Sequence, residues 1–206
     1  MRTTEVLEYH LSTGLLGRRR TLRLTPEYLE YEGSNQKSDL LTRIDKKRIA
    51  DIRFDMNWII WYRFYVGCHF KIDIRTTDDN VLKVRFRSYS GQNTNYLKAY
   101  QDITDFMHEH FLVDKVEQLL YQIQTGQVVI LQDAKLSKHG INLFPEEPLM
   151  PWEEVRVKLY PSFYVIYREG QPEVHKQIFY YDWQSELLLS VTESIIEAGE
   201  EGPEAT

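Results

Sequence analysis

Basic residues cluster at two places in the first part of the chain, in a pattern that suits phosphate chemistry. A guanidinium group can donate two parallel hydrogen bonds to phosphate oxygens, so clustered arginines are typical of sites for phosphates and lipid headgroups. The candidates for such a site are Arg18, Arg19, Arg20, Arg23, Lys46, Lys47 and Arg48. This pattern predicts contact with an anionic membrane surface or another phosphate-bearing ligand.

The same basic residues also fit a purely structural role on the solvent-facing sides of antiparallel strands. Opposite charges that face each other on neighbouring strands stabilise a sheet, so basic side chains there need no ligand. Lys83, Arg85 and Arg87 belong to this group as well. The acidic residues expected to pair with the basic ones are Glu27, Glu30 and Asp73.

Aromatic residues are dense in a short segment near the middle of the first half of the chain. Trp58, Trp61, Tyr62 and Tyr65 are the interface candidates, with Phe64 among them. Aromatic side chains are enriched at the centres of protein interfaces, which favours a contact with a partner or with a second copy of the chain. They are also enriched where a membrane meets water. A third interpretation is a buried core strand.

The sequence lacks the local motifs that indicate common enzyme activities. The chain contains no phosphate-binding glycine loop, no Gly-x-Ser-x-Gly and no His-Glu-x-x-His. The single cysteine, Cys68, lies next to His69 on a predicted strand, where neighbouring side chains point to opposite faces, and we expect it to be a small core residue. His108 and His110 lie two residues apart on a predicted helix and so point to different faces. We therefore expect no enzyme activity, no cofactor and no metal.

The elements that must position these residues begin as a run of strands. In the second strand, alternation places Arg18 and Arg20 on the same face as Leu22 and Leu24, the two residues expected in the core. The predicted strand segments of this half are 5–11, 18–24, 28–31, 44–54, 58–70, 71–75 and 81–87, and a polar loop is expected over 33–41. Helical spacing of apolar residues follows, with a cap expected at one of residues 93–95.

The second half of the chain repeats this order. Strand patterns at 128–131, 134–144, 152–159, 163–167 and 177–181 lead into a predicted helix over 184–196, with Asp182 as a candidate cap. Residues 134–144 parallel 21–31, and residues 152–159 parallel 47–54. The repetition predicts an internal duplication with a boundary near 112–126.

A meander of strands followed by one helix resembles the order of pleckstrin-homology-like (PH-like) domains. The similarity is sharpest over residues 17–24, where Arg18 and Arg20 match the basic second strand of that family. The first strand offers His10 where the family pattern has a lysine, and Thr21 replaces the usual aromatic residue. Two such modules in tandem resemble bacterial PH-like proteins of uncharacterised function. The resemblance implies two packed antiparallel sheets per domain with a helix at one end.

Length and charge agree with two small domains. The chain has 206 residues and a net charge of −6. Residues 1–112 hold 18 basic and 15 acidic residues, and residues 113–206 hold 7 and 16, so the halves carry +3 and −9. The surplus of three basic residues in the first half is too small to favour nucleic-acid binding. The most apolar segment, 58–70, is shorter than the roughly 20 residues of a membrane-spanning helix, and no signal-peptide pattern precedes it.

These observations together predict an α+β protein, mainly β, with two tandem PH-like barrels or sandwiches, each closed by a C-terminal helix. Domain 1 is expected over 1–112, a linker helix with domain 2 over 113–198, and an acidic flexible tail over 199–206. We expect a non-catalytic scaffold that binds a protein partner or a second copy. The alternative is peripheral binding of anionic lipid headgroups or phosphates through the second strand of domain 1. Either role predicts a cytoplasmic protein, in the second case at the inner face of the membrane.

Overall fold

Antiparallel strands form most of the structure. In the computed structural model, which describes residues 6–14, 17–33, 41–89 and 91–200, the strands pair into four antiparallel sheets. The chain divides into two compact units, Met1–Val113 (unit 1) and Asp114–Thr206 (unit 2). One helical stretch follows the strands of unit 1 and another follows those of unit 2. The predicted class, α+β and mainly β, is confirmed.

The first sheet of unit 1 is a four-stranded meander. Its strands are β1 (Leu7–Ser12), β2 (Arg19–Leu24), β3 (Tyr28–Glu32) and β4 (Leu41–Asp45), in that spatial order. Leu22 and Leu24 are fully buried, as the alternation in β2 predicts, because every second side chain of a strand faces the core. Most of the predicted polar loop between β3 and β4 lies outside the described residues.

The second sheet of unit 1 has three strands and a break before it. Its strands are β5 (Ile49–Trp61), β6 (Phe64–Thr76) and β7 (Val81–Tyr89). The prediction of one strand over 44–54 is wrong, because Lys46–Arg48 form a 3₁₀ turn between β4 and β5. Backbone hydrogen bonds to neighbouring turns keep this segment from pairing as a strand. The Lys46 amide donates to the Glu27 carbonyl, and the Arg48 carbonyl accepts from the Thr77 amide.

Helix α1 (Asn93–Met107) packs on the second sheet of unit 1. It passes through a π-helical turn into α2 (Val113–Gln124). Phe70 stacks on Phe86 with ring centroids 4.7 Å apart, and Tyr100 of α1 lies 5.1 Å from Phe70. Asn93 does not cap the helix as expected, because its side-chain oxygen accepts a hydrogen bond of 2.6 Å from Ser88 Oγ. The N-cap is Gln92, which makes no side-chain cap bond.

Unit 2 begins with nearly all of α2 and continues with two three-stranded sheets and a second helix. The first sheet holds β8 (Val129–Leu131), β9 (Ala134–Ser137) and β10 (Gly140–Asn142), and the second holds β11 (Val155–Leu159), β12 (Phe163–Arg168) and β13 (Gln171–Phe179). A 3₁₀ turn precedes β11 just as one precedes β5. Helix α3 (Ser185–Glu200) runs into the predicted flexible tail, and residues 201–206 lie outside the described part of the chain.

Neither unit closes a barrel within the described ranges. The strand ladders stay within the individual sheets, so the expected barrel form is wrong. In unit 1 the two sheets meet through packing of β1 on β7 and through the Tyr31 hydroxyl, which donates to the Arg85 carbonyl at 3.4 Å. Side-chain packing and such single bonds therefore replace a continuous ladder between the sheets.

Candidate interaction surface

The hairpin formed by β5 and β6 extends beyond the third strand of its sheet. Pairing of β6 with β7 begins where Gly67 faces Tyr89, whereas pairing of β5 with β6 continues to Trp61 and Phe64. Residues 60–65 therefore form a two-stranded ribbon that projects past β7. We call these residues the hairpin tip.

The hairpin tip exposes almost all of its apolar side chains. The exposed fractions of Ile60, Trp61, Tyr62, Phe64 and Tyr65 are 61%, 73%, 87%, 67% and 66%. Trp58, on β5 just before the tip, is 41% exposed. The interpretation of this segment as a core strand is wrong, because β7 ends before it reaches the tip. The four interface candidates Trp58, Trp61, Tyr62 and Tyr65 thus lie together on one hairpin.

Both faces of the ribbon are apolar. Ile60 faces Tyr65 across the ribbon, and Trp61 faces Phe64. Since successive residues of a strand point to opposite sides, the first pair lies on one face and the second on the other. Trp58 contacts Tyr65 edge to face, with ring centroids 5.5 Å apart. The tip is therefore not a half-buried hairpin with one polar side.

The turn of the hairpin is conformationally demanding. Trp61 and Phe64 pair directly, so Tyr62 and Arg63 make a two-residue turn. The backbone of Tyr62 has a φ of +59°, a left-handed conformation that favours glycine or asparagine in such turns. A bulky residue in this region costs on the order of 1 kcal/mol or more. A tyrosine is therefore not a turn signal, and no turn is expected at Tyr62 from residue types.

The base of the hairpin is tightly fixed. The Cys68 amide donates to Ser88 Oγ at 3.1 Å, and the same hydroxyl donates to Asn93 at the start of α1. A Cβ atom added at Gly67 would overlap the Ser88 carbonyl oxygen. Only glycine allows this close approach of β6 to β7, so the tip projects from a rigid support.

The hairpin carries no acidic residue between Asp55, which pairs with Lys71 at 2.7 Å, and Asp73. Residues 56–72 contain no Asp or Glu but include Arg63 at the turn and Lys71. Burial, with help from nearby Arg87 and Lys71, lowers the pKa of His69, which keeps this side chain neutral. Burial also raises the pKa of the Cys68 thiol to about 11. Cys68 is fully buried, which confirms the predicted core position and leaves no reactive thiolate at neutral pH.

Two of the four basic candidates near the first strands, Arg18 and Arg23, contact carboxylates. Arg18 pairs with Glu32 at 2.7 Å. Arg23 contacts Glu8 at 2.8 Å and Glu30 at 3.4 Å, so its predicted pairing with Glu30 is confirmed. In the second sheet Arg53 and Arg85 both contact Asp73, the other predicted partner. Arg19 is exposed and Arg20 half-buried.

The structure does not bring the two basic groups together. Lys46, Lys47 and Arg48 lie on the 3₁₀ turn, which bonds to Glu27 at the C-terminal side of β2. Arg18 and Arg19 lie at the other end of that strand. Arg48 also contacts Asp78 at 3.2 Å. The predicted anionic-ligand site is therefore split between opposite ends of the first sheet.

A smaller version of the hairpin tip occurs in unit 2. At the turn between β11 and β12, Leu159 is 56% and Tyr160 37% exposed. Tyr160 stacks on Phe163 at 4.7 Å, and the Lys158 ammonium lies 5.4 Å from the Tyr160 ring. Residues 155–168 again contain no acidic residue, although unit 2 as a whole is acidic. The same combination of aromatic and basic residues thus recurs at the equivalent turn of the second unit.

A cavity of about 340 Å³ lies in unit 2 beside α3. Its lining includes Trp152, Ile195 and Ile196 together with Glu153 and Arg156. Arg156 forms an ion pair with Glu169 on the neighbouring turn. The cavity therefore presents an apolar wall with one ion pair and no arrangement of nucleophile and base.

Metal-site geometry, helix length and comparison with known proteins bear on the function of the chain. Within the described ranges, no three His, Cys, Asp or Glu side chains approach one another as a metal site requires. No helix in the same ranges has the length and apolar character needed to cross a bilayer. Compared with known proteins, the chain matches no family model, no curated protein and no solved structure.

Proposed function

We propose that this chain is a non-catalytic binding protein with two tandem PH-like domains, and that unit 1 engages its partner through the hairpin tip. The element order supports the domain assignment. Unit 1 has a four-stranded and a three-stranded antiparallel sheet followed by a helix, and unit 2 has two three-stranded sheets followed by a helix. In unit 1 the helix packs on the second sheet through Tyr100, as the terminal helix of a PH-like domain would.

The exposed apolar area of the hairpin tip is the observation that carries this proposal. The exposed fractions of the four aromatic residues of the tip amount to roughly 600 Å² at about 200 Å² per side chain, and Ile60 adds to this area. The largest apolar patch on a typical monomeric protein is about 300–600 Å². A patch of this size, concentrated on a projecting ribbon with a rigid base, is typical of a binding element.

Binding through the basic second strand has less support. Arg18 and Arg23 contact carboxylates, and a phosphate would have to displace Glu32, Glu8 or Glu30 from them. An arginine already paired with a carboxylate offers little net positive charge to a ligand. The hairpin tip needs no such exchange, because its side chains lie exposed.

A photo-crosslinking experiment in cells tests the hairpin tip without assuming what the partner is. A benzophenone amino acid would replace Tyr62 in one variant and Tyr121 on α2, which is also well exposed at 66%, in a matched control. We expect a crosslinked product at position 62 in clear excess over position 121, identified by mass spectrometry as protein or lipid. Equal yields at the two positions, or none at position 62, would contradict the proposal.

A further inference from the structure

We infer that the surface bound by the hairpin tip is a lipid–water interface, with the tip inserted among the lipid headgroups. This inference rests on the proposed function and adds the class of partner. A protein partner and a second copy of the chain are the competing occupants. Three properties of the tip favour lipid.

The first property is that the ribbon is apolar on both faces. A protein surface that packs on one face of a two-stranded ribbon leaves the other face in water unless it forms a cleft of matching shape. Here the Ile60–Tyr65 pair and the Trp61–Phe64 pair expose large apolar side chains on opposite faces. A lipid interface surrounds an inserted hairpin on all sides and removes both faces from water without a shaped receptor.

The second property is the charge of the segment. The chain contains 31 acidic residues, yet none lies within residues 56–72. Carboxylates in this segment would be repelled by anionic headgroups and would cost desolvation energy on insertion. The one charged residue of the tip is Arg63, whose long side chain can keep its guanidinium among lipid phosphates while its aliphatic part lies deeper. The acid-free turn of unit 2 has the same character, with Lys158 beside Tyr160.

The third property is the chemistry and length of the ribbon. Trp and Tyr prefer the headgroup region, where their rings leave water while their polar atoms stay hydrated. From Gly67 to the turn the ribbon reaches roughly 10–15 Å at about 3.3 Å per residue. That length suits the headgroup layer, whereas the backbone groups at the outer edges of the tip would be too costly to bury in hydrocarbon.

Vesicle sedimentation of the full chain tests this inference. The vesicles would contain phosphatidylcholine alone or phosphatidylcholine with phosphatidylserine. We expect wild type to sediment with both, with modest salt dependence, because burial of apolar area dominates. Trp61→Ser combined with Tyr62→Ser should lower the partition coefficient about tenfold or more, since each large side chain transferred from water contributes substantially. Tyr121→Ser, which removes a similarly exposed tyrosine elsewhere, should leave the partition coefficient unchanged.

Folding of the double variant must be established independently. Both substituted side chains lie in water, so the variant should keep the thermal unfolding midpoint of wild type. A matching midpoint together with lost sedimentation supports the inference. Unaltered sedimentation of the double variant would overturn it.

Other outcomes identify the competing occupants. Sedimentation that requires phosphatidylserine and disappears in Arg18→Ala with Arg20→Ala, but not in the hairpin variant, would overturn the inference in favour of headgroup binding by β2. Absence of vesicle binding together with a protein adduct at position 62 would overturn it and leave the proposed function standing. A dimer detected by light scattering and abolished by the hairpin variant, without vesicle binding, would assign the tip to a second copy.

Discussion

Replacement of Gly67 by alanine should destabilise unit 1 and loosen the base of the hairpin. The added methyl group would overlap the carbonyl oxygen of Ser88 on β7. That carbonyl belongs to the backbone of a paired strand, so it cannot rotate away as a side chain could. Relief requires β6 and β7 to separate, which would also weaken the bonds that the Ser88 hydroxyl makes to Cys68 and Asn93.

The expected cost follows from these contacts. Overpacking of this kind typically costs about 1–3 kcal/mol. Each hydrogen bond lost at the Ser88 hydroxyl adds about 1 kcal/mol. Since strand separation would relieve part of the overlap while weakening the bonds, we expect the free energy of unfolding to fall by about 2–4 kcal/mol.

Urea unfolding followed by far-ultraviolet circular dichroism measures this change. Gly33→Ala is the matched control, because its Cβ would lie 4.0 Å from Thr42 Oγ1, an ordinary contact in the same unit. The control should change stability by less than about 0.5 kcal/mol. Hydrogen exchange should also accelerate at the Cys68 amide in the Gly67 variant alone. If Gly67→Ala were no less stable than Gly33→Ala, the close approach of β6 to β7 would not be a constraint on this fold.

Three further outcomes can be measured on the same protein. Asp73→Asn should lower the free energy of unfolding, measured in urea, by about 2 kcal/mol, because two partly buried arginines lose their common carboxylate. An unchanged free energy of unfolding would show that the two ion pairs contribute nothing to stability. Cys68 should react with a disulfide reagent at pH 8 only as the chain unfolds, because it is buried and its pKa is raised to about 11; rapid labelling of the native chain would disprove this. Burial and the hydrogen bond to Asp102 raise the pKa of Tyr9 from 10.0 to about 12. Its contribution to stability should therefore be full below pH 10 and be lost between pH 10 and 12, and Tyr9→Phe should remove that part of the pH dependence of the unfolding midpoint.

Regular strands with one buried face could be predicted from the sequence. In β2 the alternation of Arg and Leu gives both the strand and its buried side, and Glu30 and Asp73 pair with arginines as expected for neighbouring strands. The predicted domain boundaries and the PH-like assignment stay predictions. The class of the fold follows from the periodicity of the apolar residues, whereas the barrel form depended on family resemblance alone.

The exposure of the hairpin tip could not be predicted from residue types. An apolar strand segment is buried in most proteins. Only the length of β7 relative to β5 and β6 shows that no strand within the described part of the chain pairs alongside this one. The turn at Tyr62 and Arg63 could not be predicted because neither residue type is common in turns. The bonds of Lys46 to Glu27 and of Arg48 to Thr77, which break the fourth predicted strand, join residues far apart in sequence and leave no local pattern.

The register of β5 against β6 has a consequence for how the chain is made in the cell. Each pair in this hairpin joins residues close in sequence, and such hairpins form within microseconds, before distant strands meet. The aromatic ribbon would thus be displayed early, while the nascent chain is still incomplete and most prone to aggregate.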